Sequence, residues 1–140
     1  MFAIGNQKDA MSQMMTNDPR DPNDIRSIGI DLAPWGTYGW ALTLHQSMDI
    51  LDQFFQRGVP VLGGDVIYLI DNDFRYLGDN WTCNPIDGES HEVFVERSIN
   101  RSRGYIQNYP EPMVGKAYFV IVPDQPPNPH KDWSDWLPTY

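Results

Sequence analysis

The sequence predicts a single α+β domain, with a mixed sheet of four to five strands and two helices packed on it. Three observations lead there. Two segments, near residues 43–57 and 90–108, repeat apolar residues at helical spacing. Several others alternate, or run continuously apolar, in the β-branched and aromatic residues of strands. Turn formers separate these segments in the order β-α-β-β-α-β. A chain of 140 residues suits one such domain better than two, and a 41% hydrophobic content is enough for a packed core.

Residues 1–24 read as a flexible tail, because TNDPRDPND sets two prolines among aspartates and asparagines. The domain is expected over 25–123. It opens on a strand in which Ile28, Ile30 and Leu32 alternate with small or polar residues. Pro34 and Gly36 break it, and Trp35, Tyr38 and Trp40 crowd the loop that follows. Thr43 and Gln46 then have the spacing of a capping box, so a helix starts there. Leu44, Met48, Leu51 and Phe55 form its apolar stripe, with Ile50 and Phe54 alongside. Gly58 suits a left-handed cap, and Pro60 prevents the helix from resuming.

VPVLGGDVIYLI reads as extended chain with a bulge or bend at Gly63–Gly64. Asp71–Asn72–Asp73 is a turn, and Phe74 to Leu77 is the return strand of a hairpin. GDNWTCNPIDGES is expected to be loop. A second helix runs from Ser90 to about Asn108, acidic early and basic late as the helix dipole favours, with Val95, Ile99, Ile106, Phe94 and Tyr105 inward. AYFVIV at 117–122 is read as a central strand. Residues 124–140 form a Pro-rich tail carrying Trp133 and Trp136.

The net charge of −9 argues against nucleic acid and anionic membranes as partners and favours basic proteins. No apolar run approaches the roughly 20 residues of a membrane span, and MFAIGNQKDAMSQ lacks the features of a secretory signal, so a cytoplasmic location is expected. Cys83 has no second cysteine to pair with and reads as a small buried residue.

Motifs with chemical content are sparse. His45, His91 and His130 have no metal-binding spacing, and no phosphate loop or nucleophile elbow is present. Asp65, Asp71, Asp73, Asp79 and Asp87 fall within 23 residues, but position 82 is threonine where a calcium loop needs glutamate. No catalytic, cofactor or metal site is therefore assigned. A small Asp-dependent metal hydrolase remains one alternative, and an adaptor or structural subunit, monomeric or homodimeric, another. Arg97, Arg101 and Arg103 read as ion-pair partners and solvated surface before an anion clamp.

The stretch 60–90 holds five aspartates and one glutamate against the single Arg75, a net of −5, together with Tyr68, Tyr76 and Trp81. Charged rims around aromatic anchors are typical of protein-recognition surfaces. The aromatics read equally well as core, with the acids merely solvated.

GVPVLGGDVIYL at 58–69, NWTC at 80–83, GESHEVFVERS at 88–98 and YI at 105–106 carry a resemblance to the immunity protein 40 family of bacterial polymorphic toxin systems. WALT at 40–43 and a strand near 118–122 fit the same pattern. The resemblance implies a non-enzymatic protein that protects its cell by binding a cognate toxin. Given the acidity, a basic nuclease would be a suitable toxin. The expected contact residues are Asp65, Asp71, Asp73, Asp79, Trp81, Asp87 and Glu89.

Overall fold

A computed structural model describes residues 28–37 and 39–124. The expected tail over 1–24, Tyr38 and the Pro/Trp segment from 125 onward lie outside the described residues. The elements are β1 (Ile30–Asp31), a 3-10 helix (Ala33–Trp35), β2 (Trp40–Ala41), α1 (Leu44–Arg57), β3 (Val61–Ile70), β4 (Asp73–Thr82), α2 (His91–Gln107) and β5 (Lys116–Pro123). Among the described residues no helix is long and apolar enough to cross a membrane.

The local signals produce the expected ends of α1. Thr43 Oγ1 accepts from the Gln46 backbone N–H at 3.2 Å, and Gln46 Oε1 accepts from the Thr43 N–H at 3.0 Å. Gly58 closes the helix at φ +69°, a conformation in which a Cβ would be strained. The buried face, however, is Ser47, Ile50, Leu51 and Phe54. Leu44 and Phe55, at the two ends of the predicted stripe, are 44% and 51% exposed. The turned helix presents a small side chain, Ser47, to the interior, and the Ser47 hydroxyl is satisfied by donating to the Thr43 carbonyl at 2.8 Å.

The hairpin turn is the two residues Asp71 and Asn72, both at positive φ (53° and 63°), the geometry that matches the twist of antiparallel strands. β4 then continues through Thr82, well beyond Leu77, absorbing GDNWT from the expected loop. Its register against β3 slips between Asp65 and Ile67, where β4 carries extra residues around Gly78. The register of β3 against β5 shifts between Val61 and Gly63, just before the Gly63–Gly64 pair that suggested a bulge.

The five strands form antiparallel sheets of three (β4-β3-β5) and two (β1-β2), where one mixed sheet was expected. A two-residue turn can only join antiparallel neighbours, and β5 also returns antiparallel to β3. The run AYFVIV thus lies beside the central strand β3 and is not central itself. Among the described residues its outer side is met by one bridge, Leu42 to Phe119, with two reciprocal 2.8 Å hydrogen bonds. Pro34 and Gly36 keep β1 and β2 to two residues each, so the ribbon cannot extend the sheet further.

One sheet face carries both helices. Val66, Trp81, Phe119 and Ile121 meet Ile50, Leu51, Phe54, Val95, Ile99 and Ile106 there. Small polar residues stitch the layers. Ser98 Oγ accepts from the Val61 N–H at 3.0 Å, and Ser102 Oγ accepts from the Trp81 indole at 2.9 Å while donating to the Ser98 carbonyl. Buried polar groups are inexpensive only when paired in this way. The other sheet face holds a smaller cluster of Leu32, Ala41, Ile67, Tyr118 and Val120, with Leu69 and Phe74 packed beside it.

Candidate protein-binding surface

Strand periodicity puts Asp65, Ile67 and Leu69 on the face away from the helices. Asp65 is flanked by Asn80 and Val120, Ile67 by Tyr76 and Tyr118, and Leu69 by Phe74 and Lys116. Leu32 and Trp35, from the chain between β1 and β2, partly roof this face. Trp35 meets Phe74 edge-on, with centroids 4.8 Å apart, and its indole N–H donates to Asp73 Oδ1 at 3.0 Å. Phe74 in turn meets Tyr118 edge-on at 5.4 Å. A cavity of about 360 Å³ opens under this roof, with Asp65, Ile67, Tyr76 and Arg75 in its lining.

Asp65 is half-buried there, and desolvation pushes its carboxyl above the usual range. Its side chain has no hydrogen-bond or ion-pair partner among the described residues. That makes it the odd member of the acidic set. Asp71 is exposed at the hairpin turn. Asp73 is exposed too, binds Trp35, and lies 3.9 Å from Arg75 Nε. Asp79 turns to the helix-bearing side, where it accepts from the Tyr109 hydroxyl at 2.6 Å. Tyr68 lies 2.6 Å from the same hydroxyl and therefore donates to it. Burial first, then Asp79, raises the Tyr109 phenol. Asp87 is exposed beyond the far end of β4.

Two members of the set belong to the fold rather than to the surface. Trp81 is 3% exposed and stacks on Tyr105 at 4.8 Å, so of its two readings the core is the one realised. Glu89 has a side chain only 7% exposed. It takes a two-pronged bond from Arg97, at 2.6 and 2.8 Å, and accepts from the Ile86 N–H at 3.0 Å. The Arg97 hydrogen bond, more than any other cause, holds the Glu89 carboxyl below its ordinary value. Arg97 also reaches the Asn84 carbonyl at 2.7 Å and the buried Cys83 sulfur at 3.1 Å, pinning the loop after β4.

The seven residues do not form one patch. Ten residues of β4 extend about 30 Å at roughly 3.3 Å each, so Asp71 and Asp73 at the turn are far from Asp87 and Glu89. Of the seven, only Asp65 lines the aromatic cavity, and Asp73 holds its roof through the Trp35 indole. Trp35, Phe74 and Tyr118 complete that group and were not singled out from sequence; the alternation Asp65–Ile67–Leu69 was the available signal. The other basic residues of α2 are committed as well. Arg101 donates to the Thr82 carbonyl at 2.6 Å, and Arg103 pairs with Asp52 on α1 at 3.0 Å. Among the described residues no three His, Cys, Asp or Glu side chains converge to hold a metal ion. His91 bonds the Gly58 carbonyl at 2.7 Å, His45 lies 3.6 Å from Asp49, and His130 is outside the described residues.

A family model described as Immunity protein 40 matches residues 31–123, about two thirds of the chain and nearly all of the described domain from β1 through β5. No curated protein and no solved structure matches the chain.

Proposed function

Because the chain belongs to the immunity protein 40 family, we propose that it neutralises a cognate toxin by direct protein–protein binding, with no catalysis of its own. The observation that carries this reading is the extent of the family match, residues 31–123, from β1 to β5. The net charge of −9 supports a basic toxin, such as a nuclease whose substrate groove attracts negative charge, met in the cytoplasm of the producing cell. The contact surface in this proposal is the roofed sheet face and the hairpin end, with Asp65, Asp71 and Asp73 at its centre. Asp79 and Asp87 serve as outlying charges. Trp81 and Glu89 act indirectly, by holding β4 and the loop after it.

Co-purification with the protein encoded by the adjacent gene tests the reading. A stable complex is expected, with an association rate that falls steeply as salt is raised. Asp71→Lys with Asp73→Lys should weaken the complex by more than about 1–2 kcal/mol, the scale of a central interface position. Wild-type affinity in that double variant would remove the hairpin end from the interface. Failure of the two proteins to associate would remove the proposal.

A further inference from the structure

We propose that the cavity between Trp35, Phe74, Tyr76 and Asp65 is the receptor for a single arginine side chain of the partner protein. This rests on the reading of the chain as a protein binder and names the chemistry that such a partner presents. Four features of the cavity point to arginine.

The first is size. About 360 Å³ is at the lower end of ligand pockets, roughly 300–1,000 Å³, so it takes one long side chain or a small molecule but not a helix. The second is the floor. A half-buried carboxylate without a partner is a standing cost to the fold, and a cation arriving from outside removes that cost. The third is the wall. Aromatic side chains line the space, and the Trp35 ring is fixed by its bond to Asp73 and its contact with Phe74. A planar guanidinium stacks on such faces, is weakly hydrated, and meets a carboxylate with two parallel N–H donors. A lysine ammonium offers only a strongly hydrated point charge.

The fourth concerns Arg75, the chain's own cation in the lining. Arg75 faces Tyr68 across the register, is more than half exposed, and leans toward Asp73 at 3.9 Å. It pairs at the rim and leaves Asp65 without a partner among the described residues. Asp73, outside the lining, offsets Arg75 at the rim, so the Asp65 charge is the one left uncompensated, and the chain as a whole carries −9. An incoming cation is therefore attracted both at a distance and at contact.

The test is an amide-shift titration of the full chain by two-dimensional NMR with Nα-acetyl-L-arginine methylamide. The isosteric, uncharged citrulline analogue and the lysine analogue run in parallel. Saturable shifts are expected at Asp65, Ile67, Tyr76, Val120 and the Trp35 indole with the arginine probe, and much weaker ones with the others. Asp65→Asn should lower the arginine affinity at least about tenfold while leaving the rest of the spectrum in place. Arg75→Gln should raise it. Equal shifts with citrulline, or an unchanged titration in Asp65→Asn, would overturn the proposal. With the adjacent-gene protein the two readings separate. A complex that Asp65→Asn leaves at wild-type affinity removes the arginine receptor and keeps the binder; absence of any complex removes the binder whatever the small probe does.

Discussion

Trp81 is where the core and the surface readings of the acidic, aromatic stretch make opposite predictions. Replacing it with phenylalanine keeps a ring on Tyr105 but deletes the indole N–H and leaves a void beside the Ser98–Ser102 face of α2. Truncating a buried Trp to Ala costs about 3–5 kcal/mol, and Phe retains more than half of that side chain's apolar bulk. The lost hydrogen bond adds a net of about 0.5–1.5 kcal/mol. Trp81→Phe should therefore destabilise the domain by roughly 2 kcal/mol. Ser102→Ala leaves the buried indole N–H without its acceptor, a cost of about 1–3 kcal/mol. Once Trp81 is Phe, no N–H remains to be orphaned, so the double variant should fall short of the sum by about 1 kcal/mol. Urea unfolding followed by far-UV circular dichroism measures all three, since fluorescence would change with the mutation itself. If both single variants lose less than about 0.5 kcal/mol and add, while partner affinity drops sharply, the core assignment of Trp81 is wrong and it is an exposed anchor.

Three further outcomes follow from the same structure. Asp65→Asn should raise the thermal midpoint at pH 7, because it removes a charge that folding desolvates. The folded-state carboxyl lies above its ordinary 3.8, so its cost disappears as pH falls through that raised value, and the gap between variant and wild type should close in acid; a gap independent of pH would refute the origin assigned to it. Glu89 has the opposite sign. Its folded-state carboxyl lies below 4.5, so its contribution is present above that pH and is lost as pH falls further; Glu89→Gln should be less stable than wild type at pH 7, with the difference narrowing as pH falls below 4.5 in thermal melts. Gly64→Ala would place a methyl carbon 2.3 Å from both the Val120 carbonyl oxygen and the Trp81 ring, and calorimetry should show a loss of about 1–3 kcal/mol from overpacking.

The sequence by itself determined the parts of this protein whose interactions close within a few residues. The capping box at Thr43, the Gly58 cap, the start of α2 at Ser90 and the Asp71–Asn72 turn each rest on bonds or backbone conformations three or four positions wide. The family resemblance was legible for the same reason, since its motifs are short and contiguous. Which face of α1 turns inward was not, because Leu44 and Phe55 fit a helical stripe as well as Ser47 and Phe54 do, and only packing against α2 and β5 selects between them. β4 outran its predicted end because Asn80, Trp81 and Thr82 pair with Asp65, Gly64 and Gly63 of β3, which carries the strand past the poor strand formers Gly78 and Asp79.

The acidic set divided along the same line. Only tertiary structure consigned Trp81 to Ser102 and Tyr105, and Glu89 to Arg97, and left Asp65 alone beneath Trp35. The bond that fixes that roof joins Trp35 to Asp73, 38 positions apart, and the one that docks α2 joins Val61 to Ser98, 37 apart. Periodicity says that a residue faces a neighbour. Which neighbour it meets, and whether a charge finds a counter-charge there, depends on how distant segments close on one another, and no local pattern encodes that.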